Sequence, residues 1–202
     1  MAGKFKNKYR IETTRLQNWD YGSNGAYFVT ICSKYRYHYF GGKMGGIMTL
    51  TEIGKMAEKY WFDIPQHFPF VKLGAFVVMP NHIHGIIVID KSYDGRNTEN
   101  AIGTIETQNF ASLSQPAQTP THSSPKNKFG PQSKNLASIV RGFKIGVTKN
   151  ARLINPDFQW QPRFYDHIIR NENEYHRISQ YIIDNPSKWN DDKPNPYEQK
   201  NI

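Results

Sequence analysis

Two histidines, His82 and His84, lie one residue apart within the apolar stretch VVMPNHIHGIIVI. In a β-strand, residues i and i+2 point to the same face of the sheet, so both imidazoles face one way. Two imidazoles on one face can bind a single metal ion. A lone H-x-H pattern also arises by chance in a chain with 7 histidines, so its meaning depends on the rest of the sequence.

A second group of polar side chains lies in the stretch NENEYHRISQYIIDNPSKW. Tyr181 and Asn185 are four residues apart, so they share one face of the predicted helix. They flank the apolar stripe of Ile178 and Ile182, and they point towards the sheet if that stripe packs on it. Asn185 can then supply an oxygen ligand of the kind that magnesium or manganese prefers. Tyr181 can equally be a core aromatic, because the chain has 12 tyrosines.

Hydrophobic periodicity predicts the elements that position these side chains. The first is a strand over 26–33 that YRYHYFG prolongs, followed by a short strand over 46–49. A helix in TEIGKMAEKYWFDI comes next, with Thr49 or Thr51 as its cap. Two antiparallel strands over 73–79 and 82–90 follow the helix. From 91 to 132 the sequence is polar and aperiodic, which predicts a flexible loop inserted in the domain.

The remaining elements are a helix in SKNLASIVRGFKIGVTKNAR with Ser133 or Asn135 as its cap, an extended stretch within 158–169, and a last helix that starts with a capping box of Asn171 and Glu174 and stops at Pro186. Without the short second strand, the order is β-α-β-β-α-β-α. This order predicts an α+β fold, a single domain over 1–202 with a ferredoxin-like antiparallel sheet and helices on one face.

The amino-acid composition indicates which kinds of partner the protein can bind. The formal net charge of +9 favours a polyanion such as nucleic acid, with binding that weakens as salt rises. No apolar run is long enough to span a membrane, and the first residues lack the apolar core of a signal peptide, so we expect a soluble, cytoplasmic protein without a membrane partner. A single cysteine, Cys32, excludes an intrachain disulfide and a cysteine-based zinc site.

Three stretches, MPNHIHGIIVI, WQPRFYDHIIRN and YHRISQYIIDNPSKW, occur in this order and resemble the motifs of the single-tyrosine HUH transposases, especially the REP-associated tyrosine transposases. The resemblance covers most of residues 20–190 apart from the polar loop. It implies that His82 and His84 bind a divalent metal ion, Mg²⁺ or Mn²⁺, that Tyr181 is the nucleophile, and that Asn185 is in the third-ligand position. Asparagine there matches the REP-associated branch, whereas larger insertion-sequence relatives often have glutamine.

The resemblance implies a DNA transposase that nicks and rejoins single-stranded DNA beside a hairpin. A tyrosine that attacks a phosphodiester becomes joined to the 5′ phosphate and frees a 3′ hydroxyl, which can later reverse the step without ATP. A bound cation stabilises the charge that develops on the phosphoryl group. The general base for the tyrosine is not identified by the sequence. Insertion-sequence relatives act as dimers that exchange catalytic helices, whereas the REP-associated branch is expected to be monomeric, so a monomer is favoured.

Candidate phosphate contacts lie in the penultimate helix and in the QPRFYDHIIR stretch. They are Arg141, Lys144, Lys149, Arg163 and Arg170. A solvated basic face explains them equally well. His167, within a motif of the family, can orient DNA or the active site, or form a structural hydrogen bond.

Two other functions compete with the transposase. A domesticated, non-catalytic DNA- or RNA-binding module needs no nucleophile, although YFVTICS does not supply the aromatic pattern of an RNA-binding sheet. A metal-dependent nuclease that uses water leaves no covalent adduct. Within the transposase hypothesis, Tyr175 is the competing nucleophile, since it lies six residues before Tyr181 and about 120° around the helix.

Overall fold

The computed structural model describes residue 16 and residues 19–44, 47–92 and 133–189. Its elements are β1 (Gly25–Cys32), β2 (Gly41–Met44), β3 (Ile47–Leu50), α1 (Glu52–Phe62), α2 (Ile64–His67), β4 (Val71–Met79), β5 (His82–Ile89), α3 (Leu136–Ile154), β6 (Tyr165–Ile169) and α4 (Glu172–Lys188). The predicted polar loop over 91–132 lies outside the described residues from 93 onward. Within the described part, no helix is long and apolar enough to cross a membrane.

The main sheet has four strands in the order β4-β5-β1-β6, and every neighbouring pair is antiparallel. With α1 between β1 and β4 and α3 between β5 and β6, this is the predicted ferredoxin-like arrangement. β5 and β1 are central, while β4 and β6 form the edges. The predicted α+β class and antiparallel sheet are confirmed.

One face of the sheet carries the main core. Alternate residues of the central strands, such as Val29 and Ile87, are fully buried there against α1 and α3. Trp61 of α1 is also fully buried, and its ring stacks on that of Phe76 with centroids 4.7 Å apart. Phe143 of α3 packs edge-on against the same indole, with centroids 5.5 Å apart. α1 and α3 therefore cover this face together.

The opposite face is covered by α4. Ile178 and Ile182 of α4 form a second buried cluster with Ala26, Ile86 and Ile169. These sheet residues have the other parity from Val29 and Ile87, so they point to the other side. The expectation that the helices lie on one face holds for α1 and α3 and needs correction for α4. The physical reason is that the apolar stripe of α4 meets a separate apolar patch next to the histidines.

The helix caps agree with the sequence. Thr51, Asn135 and Asn171 each accept a hydrogen bond from a backbone N–H of the first turn, at 3.1, 2.9 and 2.8 Å. Glu174 does not complete the predicted capping box. Its carboxylate instead accepts hydrogen bonds from the His167 ring at 2.8 Å and from the backbone N–H of Arg170 at 2.9 Å, which ties the start of α4 to β6.

Three local features differ from the sequence-based expectation. β1 ends at Cys32, and Lys34–Arg36 forms a 3-10 turn in place of a prolonged strand. The predicted short strand is half of a hairpin, because β3 pairs with β2. Pro186 does not end α4, which runs on to Lys188 since proline removes only one hydrogen bond in the last turn.

Gly85, between His84 and Ile86 on β5, lies under the indole of Trp61, and a Cβ added there would clash with that ring. We expect Gly85→Ala to lower the free energy of unfolding by about 1–3 kcal/mol, the usual cost of overpacking. Gly142→Ala is the matched control, because its Cβ would meet Phe68 at an ordinary 3.4 Å. Alanine within α3 should raise stability by about 0.5–1 kcal/mol. Urea denaturation measures both, and equal effects of the two variants would contradict the packing at Gly85.

Candidate active site

The pairing of β1 with β5 positions the two histidines. Cys32 is opposite His82 and Thr30 is opposite His84, so both imidazoles project from a central strand onto the face that α4 covers. Both histidines are buried, with exposed fractions of 7% and 5%. Their Nε2 atoms are 3.0 Å apart. The sequence prediction that both rings converge on one face agrees with this arrangement.

The outer nitrogens of both rings have side-chain partners. The Oδ1 atom of Asn81 lies 2.7 Å from Nδ1 of His82. Since an amide oxygen only accepts, this Nδ1 carries the hydrogen, and the neutral ring has a lone pair on Nε2. Thr30 Oγ1 lies 2.9 Å from Nδ1 of His84. A hydroxyl donates or accepts, so Thr30 is compatible with either tautomer of His84.

Both imidazoles are held in the neutral form. Burial lowers the pKa of His82 to about 3, with further contributions from the neighbouring His84 and from the positive charge of Arg36. Burial, followed by the charge of Arg36, lowers the pKa of His84 to about 4. Neutral imidazole is the form that binds a metal ion, since the protonated ring has no free lone pair.

One stripe of α4 faces the histidines. The ring of Tyr181 packs against that of His84, with centroids 5.5 Å apart. Trp189, eight residues later, packs against His82 at 5.9 Å. Asn185 is half-buried and lies one turn after Tyr181 and one turn before Trp189, the residue that follows the helix. The helix therefore brings the predicted nucleophile beside His84 and places Asn185 on the same stripe as that nucleophile.

Tyr175 has a different environment from Tyr181. Its hydroxyl lies over Gly74 on β4, where an added Cβ would meet it at 2.5 Å. Burial raises the pKa of Tyr175, so its hydroxyl loses a proton less readily than that of a free tyrosine. Tyr181 is 47% exposed, and its ring also packs edge-on against Phe28. Of the two candidates, Tyr181 is the one beside the histidines.

The side chains present fit a divalent cation. The Nε2 atoms of His82 and His84 are 3.0 Å apart. If each were about 2.1 Å from one ion, this separation would correspond to an angle of about 90° between the two metal–nitrogen bonds. In the described residues no third His, Cys, Asp or Glu joins the pair, so a further ligand from this part of the chain has to be an amide or hydroxyl oxygen. Two imidazoles with an amide oxygen and no thiolate suit a harder ion such as magnesium or manganese.

Comparison with known proteins identifies a relative. No family model matches the sequence. The chain is 37% identical over 180 residues to an uncharacterized protein of Haemophilus influenzae, covering 89% of both sequences. This chain belongs to the same family. The two proteins therefore share a fold.

Solved structures extend the comparison to the fold. A REP-associated tyrosine transposase, with a structure determined bound to a REP hairpin, matches with a TM-score of 0.52 and 20% identity, covering 89% of this chain and 74% of that one. A transposase candidate from Deinococcus radiodurans has a TM-score of 0.41 and 14% identity, over 85% of this chain and 97% of that one. The resemblance that the three sequence motifs indicate is thereby confirmed for the fold, through the first of these structures.

Four of the predicted DNA-binding residues come together in one cleft. Arg141, Lys144, Lys149 and Arg163 line a cavity of about 460 Å³ between α3 and the segment that precedes β6, with Phe164 on its wall. This cleft lies on the α3 side of the sheet, opposite the histidines.

His167 and Arg170 lie apart from this cleft at the β6 end of the domain. The ring of His167 bonds to Glu174, and the Arg170 side chain is exposed.

Lys144 has a structural contact that the sequence did not reveal. Its ammonium donates to the backbone carbonyls of Gln161 and Arg163, at 2.8 and 2.9 Å, and lies 5.6 Å from the centroid of the Trp160 ring. Burial lowers its pKa to about 8. Lys144 therefore fixes the segment before β6, and the other three basic residues of the cleft have more freedom to contact a phosphate.

Several residues at the site were missed by the sequence analysis. Thr30 and Asn81 bond to the outer histidine nitrogens, and Trp189 packs against His82. The Thr30 contact depends on strand register, which the sequence does not define. The sequence does indicate Trp189, because it continues the four-residue spacing of Tyr181 and Asn185.

The burial of His82 and His84 predicts how the free energy of unfolding depends on pH. In the unfolded chain both rings titrate near 6.5, whereas in the folded protein their pKa values are lowered to about 3 and 4. Between these values the unfolded state binds more protons, so the free energy of unfolding must fall as pH drops from 6.5 towards 4. We expect this fall to be shallower in the double variant His82→Gln/His84→Gln. Urea denaturation in EDTA from pH 7.5 to 4.5 measures it, and parallel curves would contradict the buried neutral pair.

Proposed function

We propose that this protein is a transposase-type enzyme that nicks and rejoins single-stranded DNA beside hairpins through a 5′-phosphotyrosine intermediate. The observation that carries the proposal is the contact between the Tyr181 ring and His84, whose Nε2 converges with that of His82 at 3.0 Å. A nucleophilic hydroxyl next to a cation site is the arrangement that phosphoryl transfer needs. The fold shared with a REP-associated tyrosine transposase, whose structure was determined bound to a REP hairpin, supports this assignment.

In this reaction, the Tyr181 hydroxyl oxygen attacks the phosphorus of a phosphodiester. The bond from that oxygen to phosphorus forms, and the bond from phosphorus to the 3′ oxygen breaks. The phenol loses its proton and the departing 3′ oxygen gains one, so charge is balanced. Later attack by a 3′ hydroxyl on the phosphotyrosine reverses these steps and restores the phenol. Because each step exchanges one phosphoester for another, the sequence of steps needs no ATP.

His82, His84 and Asn185 would hold a magnesium or manganese ion. When bound, the ion supplies a positive charge for the phosphoryl oxygens. Asn81 and Thr30 keep the two imidazoles oriented through their outer nitrogens. Phe28 stacks on His84 with centroids 5.3 Å apart and contacts Tyr181 at 6.2 Å, so it fixes the nucleophile relative to the histidine pair.

The proposed partner is single-stranded or hairpin DNA. The formal net charge of +9 favours a polyanion, and the cleft lined by Arg141, Lys149 and Arg163 offers three cations for phosphates. The proposal includes a monomeric enzyme. Its support is that Tyr181 already contacts His84 of the same chain, so catalytic helices need not be exchanged between copies.

Replacing Tyr181 with phenylalanine tests the nucleophile. The variant retains the ring and its packing, so we expect unchanged folding and DNA affinity but complete loss of a covalent adduct. Tyr175→Phe is the matched control, since it removes the hydroxyl over Gly74 and should retain adduct formation. The measurement is a denaturing gel of protein incubated with a labelled flanked hairpin and Mn²⁺, followed by peptide mapping.

Two results would refute this assignment. A normal adduct with Tyr181→Phe, or an adduct mapped to Tyr175, would exclude Tyr181 as the nucleophile. DNA cleavage by the wild-type protein without any adduct would indicate a nuclease that uses water. Binding without cleavage, in the presence of Mn²⁺ or Mg²⁺, would favour the non-catalytic module.

Removing the Thr30 hydroxyl tests the cation site. We expect Thr30→Val to weaken Mn²⁺ affinity by about 10- to 100-fold, the usual loss when a partner of a ligating histidine is removed. His82→Ala should abolish specific Mn²⁺ binding and cleavage together. Thr148→Val is the matched control, because the Thr148 hydroxyl bonds within α3 to the carbonyl of Lys144. Calorimetric titration measures the affinities, and equal values for both threonine variants would contradict the role of Thr30.

A further inference from the structure

The segment Lys34–Tyr39, KYRYHY, alternates basic and aromatic residues next to the histidine pair. We call it the aromatic loop. It is fixed to the turn that precedes His82, because the backbone N–H and hydroxyl of Ser33 both donate to the Asn81 carbonyl, at 2.9 and 3.0 Å. The Ser33 hydroxyl also lies 2.7 Å from the carbonyl of Tyr37. The aromatic loop and the proposed cation site are thus parts of one hydrogen-bonded unit.

Three tyrosines of the aromatic loop form a ladder from the core to solvent. Tyr39 packs edge-on against the buried Phe158, with centroids 5.2 Å apart. Tyr37 contacts Tyr39, and Tyr35 contacts Tyr37, each at 5.9 Å. Tyr35 at the tip is 57% exposed. The contacts of Tyr39 and Tyr37 support the loop on the core. Of the three rings, that of Tyr35 alone presents a large accessible surface.

The backbone of the tip has a conformation that its side chains disfavour. Tyr35 and Arg36 have φ values of 55° and 60°, in the left-handed region that favours glycine. Two consecutive bulky residues in this region are strained, and strain of this kind concentrates at functional sites. Core packing does not require it, since neither side chain is buried.

The aromatic loop also packs against a residue that covers the histidine pair. The ring of His38 contacts that of Trp189, with centroids 6.0 Å apart, and Trp189 packs against His82, with centroids 5.9 Å apart. Arg36 is exposed two residues before His38. Among the ion pairs found in the described residues, none includes Arg36. A phosphodiester next to the histidines is an anion that this guanidinium can bind.

We propose that the aromatic loop binds the unpaired DNA strand next to the reacting phosphate, with Tyr35 stacked on a base and Arg36 bound to a phosphodiester. Aromatic rings interspersed with cations are the usual means of binding single strands, because every base has a face on which a ring can stack. This inference rests on the proposed function for the position of the phosphate. It adds a strand-binding surface separate from the cleft of Arg141, Lys149 and Arg163.

Fluorescence of 2-aminopurine tests the stacking. A DNA hairpin with single-stranded flanks carries the probe at successive flank positions, and binding should quench it at one of them. Quenching should persist in Tyr35→Phe and disappear in Tyr35→Ala. Tyr35→Ala should also weaken binding of the flanked hairpin by about five- to one-hundred-fold, yet leave a flush hairpin unaffected. Phe62→Ala is the matched control, as Phe62 is 58% exposed on α1.

Salt dependence tests Arg36. For single-stranded DNA, each lost phosphate contact lowers the slope of log affinity against log salt by about 0.7. Arg36→Ala should lose that amount and Arg36→Lys should retain most of it. Lys59→Ala, an exposed cation on α1, should leave the slope unchanged.

The adduct assay separates the two proposals. If the wild-type protein forms the phosphotyrosine adduct while Tyr35→Ala and Arg36→Ala bind DNA like their controls, the aromatic loop is not a strand-binding surface. If both variants weaken binding and no adduct forms with the wild type, the loop inference stands and the catalytic proposal is wrong. Absence of any binding of flanked hairpins by the wild-type protein would overturn the loop inference as well.

Discussion

The antiparallel pairing of β1 with β5 is the constraint on which the site depends. It places Thr30 opposite His84 and Cys32 opposite His82, and it directs both imidazoles to the face that α4 covers. Because side chains alternate along a strand, a shift of the register by one residue would turn both rings into the main core. The fully buried residues Ile83 and Ile87 prevent such a shift, since their burial against α1 and α3 requires the observed phase.

The two faces of the sheet differ in the side chains that cover them. One is filled by α1 and α3 around Trp61 and accounts for most of the buried apolar residues. The other contains a small cluster around Ile178 and Ile182, and next to it the polar side chains of the site. α4 is tied at its start through Glu174 to β6, and at its end Trp189 accepts a hydrogen bond from Lys43 at 3.0 Å. The helix is thus fixed at both ends while Tyr181 stays exposed.

The sequence predicted the elements better than the contacts between them. Strong periodicity in α1, α3 and the β4–β5 pair predicted the correct element types, and for each of the two helices the observed cap is one of the two candidates, because local backbone hydrogen bonds determine these features. The turn at Lys34–Arg36 was not predicted, since the alternating aromatic pattern of YRYHYFG is also that of a strand. The hairpin of β2 was not predicted, because its sequence GGKM has neither the β-branched nor the aromatic residues typical of a strand. The side of the sheet that α4 covers depends on which apolar patch it meets, and periodicity alone does not define that choice.

The same distinction applies to the site. Spacing was sufficient to bring His82, His84, Tyr181 and Asn185 into consideration, because two residues on a strand or four on a helix define a face. The roles of Thr30, Asn81 and Arg36 depend on contacts across separate segments. Lys144 shows the opposite case, since its sequence position suggests a solvated cation and the structure shows it bonded to two backbone carbonyls.

The four-residue spacing of Tyr181, Asn185 and Trp189 has a consequence for how this family can vary in length. Each residue added to a helix turns everything after it by about 100°. A single insertion between Glu174 and Tyr181 would therefore rotate all three side chains away from the histidines at once, even though composition and amphipathic character hardly change. Substitutions on the outer face of α4 leave this geometry unchanged, whereas an insertion or deletion there does not. If the relatives use this site, we expect the length of the helix to be constant among them.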